Sequence, residues 1–159
     1  MDEFGEFKDK IRREYDSIHE IFCPYFHEPV RFLPDGLHHI FYKNPNEREG
    51  KRRDIGDQSM RLRLLKLAPK LLKITTTVQE LHKQNQFIEV KNNKRKEKVL
   101  KEVKYWGFIA IIDDRKFKVI VKQIGAGTKR FWSIIPNWIT RKSHEKHLRI
   151  YHSGDLEND

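Results

Sequence analysis

Cysteine, long apolar runs and glycine-rich phosphate-binding motifs are the features this sequence has least of. Its 159 residues include one cysteine, Cys23, which excludes an internal disulfide and is typical of a reducing compartment. No apolar run approaches the roughly 20 residues that a membrane-spanning helix needs. The start Met1-Asp2-Glu3 is unlike a secretory signal. We therefore expect a cytoplasmic protein with no membrane partner.

Motifs for common cofactors are also absent. The sequence contains no CxxC, HExxH, Walker or GxGxxG pattern, so zinc, ATP and nicotinamide have no support from it. His144, His147 and His152 are the nearest to a metal-binding group, but no cysteine or carboxylate accompanies them at metal-ligand spacing. We expect neither a metal nor a cofactor.

Positive charge is what the chain has in excess. Its 33 Lys and Arg against 23 Asp and Glu give a formal net charge of +10, which is typical of a protein that binds nucleic acid. The length predicts one domain, which we place at residues 1–138, followed by a polar tail at 139–159. The acidic end of that tail, Asp155–Asp159, is a candidate to fold over the basic surface.

The stretch Tyr105–Trp138 predicts three consecutive antiparallel strands. Tyr105–Ile112 is apolar on both sides, as in a central strand. Asp113-Asp114-Arg115 and Gly125-Ala126-Gly127 carry turn residues, and the last strand stops at Pro136. The result is a meander whose strands each neighbour the next.

Burial predicts the register of the last two strands. Pairing Val121 with Trp132 and Val119 with Ile134 makes one face wholly apolar. The opposite face then carries Lys118, Ile120, Lys122, Phe131, Ser133 and Ile135. Two alternatives are open for this face: it contacts a phosphodiester backbone, or it is exposed to solvent.

Elements before the meander complete an α+β prediction. In chain order we expect a helix at Asp2–Ile21, strands at Val30–Leu33 and Leu37–Lys43 around a turn at Pro34-Asp35-Gly36, a basic loop at Asn44–Gly56, a helix at Gln58–Ile74 kinked at Pro69, and a strand at Phe87–Lys104 with a hairpin tip at Asn92–Lys96. N-terminal helices would pack on a mainly antiparallel sheet that ends in the three-stranded meander.

Adjacent histidines, His38 and His39, are candidates for acid–base chemistry. On a strand the two side chains point to opposite faces, and His39 then shares a face with Lys43. Histidine is the usual general acid or base near neutral pH. The alternative is a histidine bonded to a turn carbonyl.

Arg61 and Ser133 are candidate phosphate contacts, and Ser133 shares its sheet face with Lys122. Arg61 lies on the helix side that carries Leu64 and Ala68, where an arginine is less solvated and suits a bidentate phosphate contact. Its stem could instead cover the core. Ser133 has no GxSxG context, so its hydroxyl is a candidate hydrogen-bond donor to phosphate rather than a nucleophile.

Four motifs together resemble a known group of enzymes. They are Gly36-Leu37-His38-His39-Ile40, Arg61-Leu62-x-Leu64-Leu65, Lys118-Val119-Ile120-Val121-Lys122-Gln123-Ile124-Gly125 and Phe131-Trp132-Ser133-Ile134-Ile135-Pro136. In these motifs and in element order, residues 30–138 resemble the barnase–EndoU–colicin–RelE superfamily of metal-independent ribonucleases, many of them bacterial or phage-borne toxins.

The resemblance implies a role for each matching residue. His39 would be the general acid/base, Arg61 and Lys122 would bind the phosphate and stabilise the phosphorane, and Ser133 would be a polar group at the scissile phosphate. Because His38 adjoins His39, which of the two is catalytic stays open. The general acid is unassigned, with Lys43 a weak candidate. RNA-binding candidates are His38, Lys43, Lys118, Arg130 and Phe131.

The expected function is a metal-independent endoribonuclease that uses the ribose 2′-hydroxyl as nucleophile. We expect it to be the toxin of a toxin–antitoxin or phage-defence system, with tRNA or mRNA as target and an acidic antitoxin as a second partner. The alternative is a non-catalytic RNA-binding module that uses the same basic face. Oligomeric state stays open.

Overall fold

The computed structural model describes residues 2–43, 51–137 and 156–159. The elements, in chain order, are α1 Glu3–Ile18, β1 Glu20–Cys23, β2 Glu28–Arg31, α2 Pro34–Phe41, β3 Tyr42–Lys43, β4 Lys51–Arg52, α3 Ile55–Leu64, α4 Leu67–Ile74, β5 Glu80–Asn92, β6 Arg95–Ile112, β7 Arg115–Ile124 and β8 Arg130–Pro136. The predicted α+β class is confirmed. Trp138 and residues 139–155, including His144, His147 and His152, lie outside the described residues, as do residues 44–50 of the predicted basic loop.

Six of the strands form one sheet in the order β1-β2-β8-β7-β6-β5. Neighbours from β5 to β8 are antiparallel and follow one another along the chain, so the predicted meander is present. β2 pairs with β8 in parallel at one register position, Arg31 with Arg130. Both α2 and α3 contact β8, which places these two helices beside the strand that carries Ser133.

The main hydrophobic core lies between the helices and one face of this sheet. Tyr15 of α1, Ile40 of α2, Leu62 of α3, Leu72 of α4 and Val119 of β7 are all 1% exposed or less and belong to one cluster. Full burial of one such apolar side chain stabilises the fold by about 1.5–3 kcal/mol. A smaller cluster, on the other face, joins Val103, Tyr105, Ile120, Trp132 and Leu156.

Turn residues end the strands where the sequence predicts. Asp113 and Asp114 have φ of 53° and 61°, and Gly125 has φ of 56°. Aspartate and glycine tolerate this left-handed region, which a tight hairpin needs. The hairpin tip predicted at Asn92–Lys96 is also confirmed, since β5 ends at Asn92 and β6 begins at Arg95.

The strand predicted at Leu37–Lys43 is wrong. Pro34 opens helix α2, which runs to Phe41, and β3 then contributes two residues. Proline is favoured in the first helical turn as well as in turns. Gly36 lets this helix lie against β8, because a Cβ there would come within 2.5 Å of the main-chain oxygen of Phe131. His38 and His39 therefore project from a helix, and Lys43 does not share a strand face with His39.

Other boundaries shift for local reasons. α1 begins after Asp2, whose carboxylate accepts a hydrogen bond from the Gly5 N–H, and ends at Ile18 because His19 takes a φ of 61°. The single helix predicted at Gln58–Ile74 is two helices, α3 and α4, which break at residues 65–66. Pro69 lies in the first turn of α4 rather than at a kink, since proline is tolerated there.

Two further strand boundaries also differ from the prediction. The strand expected at Val30–Leu33 is observed at Glu28–Arg31. β6 extends the expected central strand back to Arg95, so Tyr105–Ile112 is its second half.

A β-bulge changes the predicted register of the last hairpin. Val119 pairs with Ile134 as expected, but Val121 pairs with Phe131 rather than with Trp132, after an irregularity between Ile120 and Val121. The extra residue moves Trp132 to the lysine face and Phe131 into the main core.

Within the described ranges 2–43, 51–137 and 156–159, no helix has the length and apolar character needed to cross a membrane.

Candidate functional site

Arg61 is the centre of a buried polar cluster. Its side chain is 1% exposed, although it carries a full positive charge. One guanidinium nitrogen, Nη1, donates to Ser133 Oγ at 2.8 Å and to the main-chain oxygen of Asp159 at 2.5 Å. Ser133 Oγ donates to the same Asp159 oxygen at 3.0 Å. Two of the predicted phosphate ligands, Arg61 and Ser133, are thus in direct contact and share one bound oxygen.

Asp57 holds Arg61 in this position and pairs with a second arginine. Arg61 Nε donates to Asp57 Oδ1 at 2.7 Å, while Arg53 Nη1 lies 3.5 Å from Asp57 Oδ2. Asp57 and Arg61 stand four residues apart on α3, the spacing at which helical side chains meet, whereas Arg53 lies just before the helix. Arg53 and Asp57 are each 3% exposed. Asp57 thus bridges two buried guanidinium groups, and its loss would leave both without this counter-charge.

His39 lies against the same cluster. It is fully buried, and its ring stacks on Trp132 with centroids 4.3 Å apart. Arg53 Nη2 lies 3.0 Å from His39 Nε2, and Arg53 Nε donates to the His39 carbonyl oxygen at 2.9 Å. A guanidinium group only donates, so Nε2 is the acceptor and the ring proton is on Nδ1. Among the described residues, no hydrogen-bond partner faces Nδ1.

Burial lowers the pKa of His39 well below its ordinary value, and the charges of Arg53, Arg61, Lys122 and His38 lower this pKa further. The imidazole is therefore neutral at neutral pH, the state that a general base requires. Burial, followed by repulsion from Arg61, lowers the pKa of Arg53 to about 9. Arg53 thus stays charged at neutral pH and remains a donor to His39.

Acid should destabilise the fold through His39. Its pKa is lowered in the folded state, so below the ordinary pKa of about 6.5 the unfolded chain binds a proton that the folded chain does not. This contribution is complete above that pH and falls as pH decreases, by up to about 1.4 kcal/mol per pH unit. The free energy of unfolding, measured with urea between pH 7.5 and 5, should fall less steeply with decreasing pH for His39→Gln than for wild type. The same pH dependence in both proteins would contradict this role of His39.

Two lysines from β7 complete the positive charge. Lys118 is 1% exposed, and its Nζ lies 3.3 Å from both Glu80 Oε2 and Asp159 Oδ2. Lys122 is 6% exposed, and its Nζ lies 3.9 Å from the centroid of the Trp132 ring. Burial lowers the pKa of Lys122, whereas the nearby Glu157 carboxylate raises it. We name the group formed by His39, Arg53, Arg61, Lys118, Lys122 and Ser133 the cationic site.

An acidic segment of the same chain occupies the cationic site. Leu156–Asp159 lies on it, with Leu156 fully buried and Asp159 3% exposed. The main-chain oxygens of Glu157 and Asn158 accept hydrogen bonds from Trp132 Nε1 at 2.8 Å and from Arg53 Nη2 at 3.2 Å. For these four residues, the expectation that the acidic end folds over the basic surface is confirmed. Asp155 lies outside the described residues.

His38 faces a separate surface pocket rather than the cationic site. It is exposed and stacks on Tyr42, with ring centroids 4.6 Å apart. The pocket has a volume of about 560 Å³ and is lined by Lys8, Arg12, Asp16, Pro34, Leu37, His38, Phe41, Tyr42 and Arg52. One side of α2 therefore carries the buried His39, while another carries an exposed histidine among basic side chains.

The remaining candidates are dispersed. Arg130 is about one-quarter exposed and donates to Asp35 Oδ2 at 2.7 Å, while Lys43 lies half-buried at the end of β3. Phe131 is fully buried in the main core, stacked on Phe32 at 5.0 Å. The expected place of Phe131 on the lysine face is therefore wrong, and Trp132 takes that place.

Three contributors to the site were missed from the sequence. Arg53 fell within the stretch expected to be a basic loop, and Trp132 was expected on the apolar face. Asp57 had a usable signal, since it stands four residues before Arg61, the spacing of neighbours on one helix face. No local pattern indicated the bulge that moves Trp132.

Among the residues that the structure describes, no group of three or more His, Cys, Asp or Glu side chains is arranged to hold a metal ion. Comparisons of the chain with protein-family models, with curated proteins and with solved structures find no match.

Proposed function

We propose that this chain is an endoribonuclease of the barnase–EndoU–colicin–RelE type, which cleaves RNA by attack of the ribose 2′-hydroxyl without a metal. The observation that carries the proposal is the shared oxygen of Asp159, which accepts hydrogen bonds from both Arg61 and Ser133. Lys118 binds the side-chain carboxylate of the same residue. Cations and hydroxyls arranged around oxygen atoms in a water-poor setting are what a phosphorane needs.

In this proposal each residue has a distinct task. Neutral His39 removes the proton from the 2′-hydroxyl, whose oxygen bonds to phosphorus; the bond from phosphorus to the 5′-oxygen breaks, and that oxygen leaves with a proton taken from water. Arg61 with Ser133 holds the non-bridging phosphate oxygens. The Lys122 ammonium group, which lies over the Trp132 ring, stabilises the charge that develops on the phosphorane. Trp132 keeps His39 and Lys122 in place through its ring. Arg53 positions His39 through the hydrogen bond from Arg53 Nε to the His39 main-chain oxygen.

The wider context belongs to the same proposal. The net charge of +10 favours an RNA target such as tRNA or mRNA, and the exposed His38 pocket with Lys8, Arg12 and Arg52 offers further contacts to its backbone. We place the protein in the cytoplasm, as the toxin of a toxin–antitoxin or phage-defence system. An acidic antitoxin would complement its charge.

A second candidate function is a non-catalytic RNA-binding module. The observation that favours it is the contact between Arg53 Nη2 and His39 Nε2, which occupies the lone pair that a general base uses. Catalysis therefore requires the 2′-hydroxyl to replace Arg53 at that nitrogen. Binding of RNA requires no such exchange.

Product chemistry tests the proposal. Purified protein is incubated in EDTA with total tRNA and with a single-stranded RNA, and the ends of any fragments are identified. Attack by the 2′-hydroxyl leaves a 2′,3′-cyclic phosphate, and an oligonucleotide with 2′-deoxyribose at the cleaved position stays intact. Fragments ending in a 3′-hydroxyl would overturn the mechanism. Binding without cleavage would favour the RNA-binding module.

A further inference from the structure

The acidic segment Leu156–Asp159 is held by both apolar and polar contacts. Leu156 is fully buried beside Val103, Tyr105, Ile120 and Trp132. Glu157 accepts hydrogen bonds on its side-chain oxygens from Gln84 Nε2 at 2.9 Å and Gln86 Nε2 at 3.1 Å. These contacts set the position of the segment without involving the cationic site.

The oxygens of Asp159 accept hydrogen bonds from side chains of the cationic site, where the proposed function places the RNA phosphate. Its main-chain oxygen lies 2.5 Å from Arg61 Nη1 and 3.0 Å from Ser133 Oγ. Its carboxylate oxygen Oδ2 lies 3.3 Å from Lys118 Nζ. Two oxygens of one residue are thus bound by three side chains that are each at most 1% exposed. A phosphodiester presents two non-bridging oxygens and one negative charge, which suit the same donors.

We propose that Leu156–Asp159 is an internal mimic of the RNA backbone, which closes the cationic site and leaves it when RNA binds. This inference rests on the proposed function only in taking the cationic site as the place where the phosphate binds. Asp159 and an RNA phosphate need the same hydrogen atoms of Arg61 and Ser133, so their occupancy is mutually exclusive. Departure of the segment also removes Leu156 from the buried cluster that contains Trp132 and opens the site to a nucleotide.

Closure of this kind weakens RNA binding, because the apparent Kd equals the Kd of the open form divided by the fraction of molecules that are open. If the segment is bound in 90–99% of molecules, the apparent Kd for RNA rises by about 10- to 100-fold. Weakening the segment should therefore tighten RNA binding rather than reduce it.

The first experiment measures RNA affinity in full-length variants. Leu156→Ser/Asp159→Asn removes the apolar contact and the carboxylate that binds Lys118, and we expect its Kd for a 2′-O-methyl oligoribonucleotide, which is not cleaved, to fall about tenfold or more. Asp114→Asn is the charge-matched control, because Asp114 is exposed and its φ of 61° suits asparagine. A similar gain in both variants would show a general effect of charge and overturn the inference.

A second experiment detects the departure of the segment itself. Cys23 is fully buried, so the thiol introduced by Asn158→Cys is the reactive one. We expect the same 2′-O-methyl oligoribonucleotide to speed up its alkylation, while an uncharged sugar leaves the rate unchanged. An alkylation rate that RNA lowers or leaves unchanged would overturn the inference.

Outcomes for the inference and for the proposed function are separable. Tighter RNA binding in Leu156→Ser/Asp159→Asn with no cleavage by either chain would support the internal mimic and refute the endoribonuclease. If wild type cleaves RNA and the variant shows no gain in RNA affinity or in cleavage rate, the endoribonuclease is supported and the internal mimic is refuted. Weaker binding in a variant that is still folded would show that the segment is part of the RNA site, which also refutes the mimic.

Discussion

RNA cleavage is expected to fall by about 10²- to 10⁴-fold in His39→Gln, the usual contribution of a general base. Glutamine is close to histidine in size and keeps a side-chain oxygen that can accept from Arg53, but it cannot take a proton at neutral pH. RNA affinity should change little, because His39 carries no charge in the folded state. Initial rates on tRNA in EDTA measure the effect, beside RNA binding by fluorescence anisotropy.

The matched control for this prediction is His38→Gln. The same substitution at His38 changes an exposed side chain in the pocket on the other side of α2. It should lower the cleavage rate by less than the roughly 10²-fold that loss of a general base costs. Both comparisons are repeated in the Leu156→Ser/Asp159→Asn background, so that closure of the site does not hide a loss. A fully active His39→Gln enzyme, or an inactive His38→Gln enzyme, would refute the assignment of His39 as the general base.

Replacing Asp57 with asparagine is expected to lower the free energy of unfolding by about 3–5 kcal/mol, the usual cost of removing one partner from a buried ion pair. Arg53 and Arg61 each bind one oxygen of this carboxylate, and all three side chains are 3% exposed or less. Asparagine keeps the volume but offers one acceptor oxygen and no charge. Two buried cations would then repel each other without this counter-ion.

Urea unfolding at neutral pH measures this loss. Asp114→Asn is again the control, because it removes an exposed carboxylate, and surface changes of that kind stay within about 0.5 kcal/mol. If Asp57→Asn costs less than about 1 kcal/mol, as an exposed pair does, the Arg53–Asp57–Arg61 network is not a source of stability. A salt-dependent loss would also contradict the burial of the network, since buried pairs are screened weakly.

The cationic site could be predicted in part. Arg61 stood on the apolar side of its helix pattern, and Lys118, Lys122 and Ser133 alternated onto one face of the last hairpin. Arg61, Ser133 and Lys118 bind Asp159, and Lys122 lies over the Trp132 ring. Local periodicity was enough for these residues, because it reports which face of an element is buried. Arg53 gave no such signal, since the structure of its basic segment depends on a contact with α2.

Alternation of apolar and polar residues, turn residues at Asp113, Asp114 and Gly125, and the excess of lysine and arginine determined the α+β class, the meander and the charge of the site from the sequence alone. Tertiary structure decided the rest. A helix that begins at Pro34 and packs on β8 at Gly36 stands where a strand was expected. One bulge exchanged Phe131 for Trp132, because side chains change face at every residue of a strand. Opposite charge indicated from the sequence that the acidic end would lie on the basic surface. The contact of Asp159 with Arg61, 98 residues away in sequence, was decided by the tertiary structure, because no pattern within a single element records a contact between such distant parts of a chain.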